Sequence, residues 1–169
     1  SGHIHVMNSD GSDQRRLTRT KVVECQPDWS PDGKLIVFAR PCGGKAHIWV
    51  MNSDGSSPRQ LTRSTAQDWA PRWSPDGTQI AFSRGTLRKD YEVMVMSSDG
   101  TNVHKLTDNE ADDFTPVWSP DGQMIVFASA GYGFQHLFVM NADGSNERTL
   151  TSGEGDDMQP AWSPVSIGP

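Results

Sequence analysis

Short apolar stretches alternate with turn residues along the whole chain, and no helix of useful length is apparent. Leu35-Ile36-Val37-Phe38, Gln79-Ile80-Ala81-Phe82-Ser83 and Met124-Ile125-Val126-Phe127 are nearly continuous apolar runs. Each is followed by a second one: Ile48-Trp49-Val50-Met51, Val93-Met94-Val95-Met96 and Leu137-Phe138-Val139-Met140. Runs without polar alternation predict strands covered on both faces. The flanking segments are more polar, as in Pro71-Arg72-Trp73-Ser74 before a pair and Val103-His104-Lys105-Leu106-Thr107 after it. They predict edge strands, where a proline is tolerated because no ladder donor is required of it. Asp-Gly turns, which suit tight hairpins, separate the runs.

These four-strand units repeat. Trp-Ser-Pro-Asp begins at Trp29, Trp73 and Trp118, and Trp162-Ser163-Pro164 opens a fourth copy, with spacings of 44, 45 and 44. The same spacings separate Asp10-Gly11, Asp54-Gly55, Asp99-Gly100 and Asp143-Gly144, and also Leu17-Thr18, Leu61-Thr62, Leu106-Thr107 and Leu150-Thr151. A small sheet that is apolar on both faces must stack against copies of itself, and a radial array with a period of about 40–50 residues does this. The expected fold is all-β, a β-propeller of four-stranded antiparallel blades. It places outer strands of a split blade at 1–23, blades at 24–67, 68–112 and 113–156, and the inner strand of another split blade at 157–169.

Trp-Ser-Pro-Asp-Gly, then Ile-x-Phe, then Ile-x-Val-Met-Asn-x-Asp-Gly, then Arg-x-Leu-Thr resembles the WD40-like repeat of TolB-type propellers, over essentially the whole chain. The resemblance implies that the Trp-bearing strand is innermost and lines a central channel. It further implies a periplasmic or extracellular interaction module without catalysis. The alternative it allows is the substrate-gating propeller of a prolyl-oligopeptidase-like hydrolase. Rings of this type have more blades than the units here. The chain is therefore expected to be a segment of a ring, or one half of a ring of about eight blades completed as a homodimer.

Composition alters this picture little. Fewer than one residue in five is Leu, Ile, Val or Phe, which by itself points toward disorder. A net charge of −6 over 169 residues is too small for that reading, and the turns account for much of the Gly and Asp. The acidic balance disfavours nucleic acid as a partner. No apolar run is long enough for a membrane-spanning helix. No signal peptide opens the chain, which begins Ser-Gly, as expected of a processed or excised segment. Nucleophile-elbow, P-loop and His-Glu-x-x-His motifs are absent from the sequence.

Two sets of residues are candidates for binding. Glu24, Asp68, Asp113 and Asp157 each stand three residues before the proline of an innermost strand, and Asp112 and Asp156 add second carboxylates. Around a propeller axis these would form an acidic ring. Oxygen donors suit a hard cation, calcium before magnesium. The competing expectation is that each carboxylate serves its own loop. The second set comes from the variable loops between the apolar strands. Trp69, Arg84, Arg88, Tyr91, Tyr132 and Phe134 would make an aromatic and basic rim suited to a protein or peptide partner, or to a glycan. His3, His47, Glu92 and His136 share one register position and are read as edge polar residues. Cys25 and Cys42 fall in one unit, where a disulfide and two free thiols are equally open.

Overall fold

A computed structural model describes residues 2–86, 89–131 and 133–163. It contains three four-stranded antiparallel sheets and one two-stranded piece. The two-stranded piece pairs β1 (His5–Val6) with β2 (Arg15–Arg16). The first full sheet runs β3 (Cys25–Trp29), β4 (Leu35–Arg40), β5 (His47–Asn52) and β6 (Arg59–Gln60). The second runs β7 (Gln67–Trp73), β8 (Gln79–Thr86), β9 (Lys89–Ser97) and β10 (His104–Lys105). The third runs β11 (Asp112–Trp118), β12 (Met124–Ala130), β13 (Gln135–Asn141) and β14 (Arg148–Thr149). Each sheet is a meander whose strand order follows the chain, so the Pro-Trp strand and the short polar strand are its edges.

The apolar strands face two ways. Ile36 and Phe38 pack toward Ile4 of the preceding piece, whereas Val37 joins Ile80 and Phe82 of the following sheet. The next blade repeats this: Ile80 and Phe82 face backward, and Ala81 faces forward to Ile125 and Phe127. Large side chains thus meet small ones across each junction, which lets flat sheets interdigitate at core density. Phe38, Phe82 and Phe127 are fully buried in this way.

The turns anchor the same junctions. All seven Asp-Gly aspartates accept a bond from the amide two residues on, at distances from 2.8 to 3.1 Å. Bonds from Ser and Thr hydroxyls, with these amide bonds second, hold their carboxyls below the usual range. Gly144 has φ 86°, and a Cβ there would meet the Leu106 carbonyl oxygen of the preceding blade at 2.9 Å. Only glycine allows both the turn and that approach.

The inner strands carry a feature the pattern did not show. Gln26, Ala70 and Thr115, each just before the strand's proline, have φ of 53°, 50° and 51°. The ladder slips at these points. Each bulge removes amides from the sheet, and the neighbouring blade takes some of them up. Gln26 Oε1 accepts from the Ala70 amide at 2.9 Å, and Ser83 Oγ accepts from the Thr115 amide at 3.1 Å. In the second blade the expected variable loop is largely sheet, since β8 runs to Thr86 and β9 begins at Lys89.

Phe82→Ala should destabilise the chain by about 3–5 kcal/mol, because it opens a cavity in a junction with no free face. Urea unfolding of the purified chain checks this.

Candidate functional site

The acidic positions lie one at each passage from blade to blade, where the outermost strand of one sheet hands over to the innermost strand of the next. Glu24 is buried and gathers donors from the preceding piece. Thr18 Oγ1 donates to Oε2 at 3.0 Å and His3 Nδ1 lies 3.1 Å from the same oxygen. Thr20 Oγ1 donates to Oε1, and Arg40 Nε of its own blade stands 3.9 Å away. Asp68 is completely buried. Arg84, opposite it in the sheet, donates from Nε to Oδ1 at 2.6 Å and from Nη2 to Oδ2 at 3.1 Å. His47 of the preceding blade stands 3.7 Å from Oδ2, and Ser64 Oγ donates to that oxygen at 3.5 Å. Asp157 repeats the pattern more openly, with His136 at 3.7 Å.

The threonine of the Leu-Thr marker belongs to the same device. Thr18, Thr62, Thr107 and Thr151 each accept, at Oγ1, an amide of their own blade: Ile4 just before β1, Ile48 in β5, Val93 in β9 and Leu137 in β13. The second carboxylates act nearby: Asp112 accepts from the Tyr91 amide and Asp156 from the Gln135 amide, both at 2.8 Å. The six carboxylates are thus spread over four separate passages, Asp112 beside Asp113 and Asp156 beside Asp157. Among the described residues, no three His, Cys, Asp or Glu side chains converge in an arrangement fit for a metal ion.

The passage into the third blade differs in composition. Glu92 stands at the histidine position and Ser129 at the arginine position. Burial pushes the Asp113 and Glu92 carboxyls up from the usual range, and the Asp113 charge adds to the effect on Glu92. Thr107 Oγ1 donates to Glu92 Oε2 at 2.7 Å, and Lys105 Nζ lies 3.5 Å from Oε1.

The second site is an aromatic recess of about 290 Å³ spanning the three inner strands. Trp69, Tyr91 and Phe114 form its apolar wall, and Gln26, Ser83 and Thr115 add polar groups. The rings of Tyr91 and Phe114 lie 5.2 Å apart and tilted by 41°. Gln67 Oε1 accepts from Trp69 Nε1 at 3.1 Å and from the Tyr91 hydroxyl at 3.4 Å, fixing both rings. Gly85 makes room for the tyrosine, for a Cβ there would meet Tyr91 Cγ at 2.7 Å. Cys25 and Cys42 are joined as a disulfide, with Cα atoms 6.1 Å apart.

With this geometry in place, the family follows from comparison. The sequence profile of the TolB beta propeller domain matches residues 1–166. The chain belongs to this family. A structure assigned as TolB from Agrobacterium tumefaciens superposes with a TM-score of 0.83 at 28% identity, covering 96% of this chain and 62% of that one. TolB from Acinetobacter baumannii gives 0.78 at 27% identity, covering 91% of this chain and 38% of that one. This TolB-type propeller thus spans less than two thirds of either relative. A Mycobacterium tuberculosis puromycin-hydrolyzing peptidase shares the fold at 16% identity, with a TM-score of 0.68, covering 89% of this chain and 27% of that one. Comparison with curated proteins gives no match.

The TolB-type propeller brings together only part of the rim read from the sequence. Trp69 and Tyr91 share the recess. Arg84 does not join them: its guanidinium turns inward to Asp68, because a buried carboxylate needs a cation. Phe134 is exposed and lies in a different pocket, beside Ser129 and His136. Arg88 and Tyr132 lie outside the described residues. The histidines read as edge polar residues instead face the junction carboxylates at His3, His47 and His136. The signal was present, since acid, histidine and threonine recur in one register. Phe114, Gln26 and Ser83 were missed because nothing in the repeat marks where a bulge turns a side chain.

A pH prediction comes from the third passage. Glu92 and Asp113 have raised folded-state pKa values, so their stabilising contribution is full below the unfolded values of 4.5 and 3.8 and is lost as pH rises through the folded ones. The turn aspartates, with lowered values, act below that window. Glu92→Gln keeps an acceptor for Thr107 and removes the charge. Its Tm should match wild type near pH 4 and exceed it once the pH has risen through the folded-state value of Glu92, as measured by thermal melts from about pH 4 to 8.

Proposed function

We propose that this TolB-type propeller is a non-catalytic interaction module of the periplasm or cell exterior, and that it holds an apolar side chain of a protein or peptide partner in the recess of Trp69, Tyr91 and Phe114. The carrying observation is the construction of that recess. Three half-buried aromatic side chains, two from the inner strands β7 and β11 and one from β9, converge there, and Gln67 and Gly85 hold two of them in place. Aromatic anchors in pockets account for much of the energy of protein interfaces. The neighbouring polar groups, Gln26 and Ser83, are already engaged with backbone amides of adjacent blades, which leaves shape and apolar area as the basis of recognition.

The compartment is supported by the Cys25–Cys42 bond, since disulfides persist in oxidising surroundings. It agrees with the resemblance to TolB-type repeats. Among the described residues, no helix is long and apolar enough to cross a membrane. The rigid sheet below the recess suits a binding surface, because the groups that would meet a partner sit on strands rather than on free loops.

Peptides selected from a random display library against the wild-type chain provide the test. Their affinity should fall at least about tenfold for Trp69→Ala, the truncation of an anchor residue. Gly85→Ala, which pushes Tyr91 out of the recess, should do the same while the Cys25–Cys42 bond stays intact. Selected peptides that bind both variants as tightly as wild type would contradict the reading.

A further inference from the structure

The chain supplies its own template for what is missing at the passage into the third blade. At the second blade, Asp68 Oδ2 faces the loop residue four positions earlier, Ser64, at 3.5 Å, and Oδ1 takes the Arg84 guanidinium at 2.6 Å. At the third blade, Asp113 Oδ2 likewise faces the residue four positions earlier, accepting from Asn109 Nδ2 at 3.0 Å. Its Oδ1, the counterpart of the oxygen that takes Arg84 Nε, is buried with no partner in hydrogen-bond geometry, although the Ser129 and Thr107 hydroxyls act on the same carboxyl. Asp113 itself is 0% exposed. The residue opposite it in the sheet is Ser129, where Arg84 stands opposite Asp68.

Shortening arginine to serine leaves space. A cavity of about 630 Å³ opens there, lined in part by Asn109, Ser129, His136, Phe138 and Glu147. That size lies within the usual range of ligand sites. Asn109 and Ser129 both interact with Asp113 and line this cavity, while Asp113 itself does not, so a ligand reaches Oδ1 only when these two side chains turn aside. The surroundings are acidic. Glu92 replaces the histidine of the other passages, and burial and the Glu92 charge push the Glu147 carboxyl up. No metal-fit cluster exists among the described residues. A planar organic cation tolerates that looser donor set, and its fork matches a carboxylate in two points.

We propose that this cavity is a socket for an arginine side chain of a protein partner, which places in trans the guanidinium that Arg40 and Arg84 provide in cis at the two preceding passages. The proposal rests on the reading of the chain as an interaction module but uses a site separate from the aromatic recess. The bound guanidinium would satisfy Asp113 Oδ1 and offset the Glu147 charge, Glu92 being paired with Lys105 at 3.5 Å. The Phe138 ring in the cavity wall suits the flat face of the same group.

The probe is the tripeptide acetyl-Gly-Arg-Gly-amide, titrated into the labelled chain and followed at the Asn109 side-chain amide by NMR. Its citrulline counterpart, equal in shape and uncharged, is the control. Wild type should show saturable shifts with the arginine peptide and none with the citrulline one. Asp113→Asn should weaken binding about tenfold or more, as loss of a charged hydrogen-bond partner does. Ser129→Arg should abolish binding and raise Tm, since it fills the socket as Arg84 fills its own. Trp69→Ala should leave the titration unchanged, so a failed recess and a failed socket give different patterns. Absence of saturable shifts in wild type would overturn the proposal, as would equal response to citrulline, or undiminished binding by Ser129→Arg. Calcium chloride raising the Tm of wild type but not of Asp113→Asn, with no response to the arginine peptide, would overturn it by giving the site to a metal ion.

Discussion

A sheet with no solvent face cannot be stable alone, and everything else in this chain answers to that constraint. Phe38, Phe82 and Phe127 sit at the centres of their sheets and are fully buried only because another sheet lies against them. The partner faces carry Val37, Ala81 and other smaller groups. Burial of this kind is worth about 25 cal/mol per Å², but it specifies neither angle nor register between blades. Those come from the polar groups at the passages.

There the fold places carboxylates out of water, which is costly unless each is matched. Glu24 and Asp68 are matched by threonine or serine hydroxyls, a histidine of the preceding blade and an arginine of their own. Such a set ties three strands from two blades at one point. Bulges at Ala70 and Thr115 add bonds from backbone amides to the preceding blade. The third passage keeps the acid and the threonine but replaces both partners of the acid: Lys105 pairs with Glu92, and Asp113 has no cation of its own. Structural repetition thus makes a local departure visible that no single blade would reveal.

Much of this was legible in the sequence, for reasons that are specific. Asp-Gly and Pro-Asp-Gly turns have one geometry, so their 44-residue recurrence announced blades and edges alike. The acidic positions were found by the same register. Their direction was not, because the repeat tells where a residue recurs and not which neighbour it faces. Arg84 reads as a rim residue until its partner across the sheet is known to be Asp68. The histidines read as edge residues until the acid at the passage to the next blade is seen to face them, as Asp68 faces His47. The Tyr91 and Trp69 pairing depended on Gly85, whose meaning is a missing Cβ.

A residue-resolved carboxyl-carbon NMR titration tests the central claim most directly, namely that the passages differ in how their buried acids are compensated. The account predicts that Asp113 and Glu92 titrate above the ordinary carboxyl range while turn aspartates such as Asp76 and Asp99 titrate below it. Asp113 titrating at or below the ordinary range would contradict it.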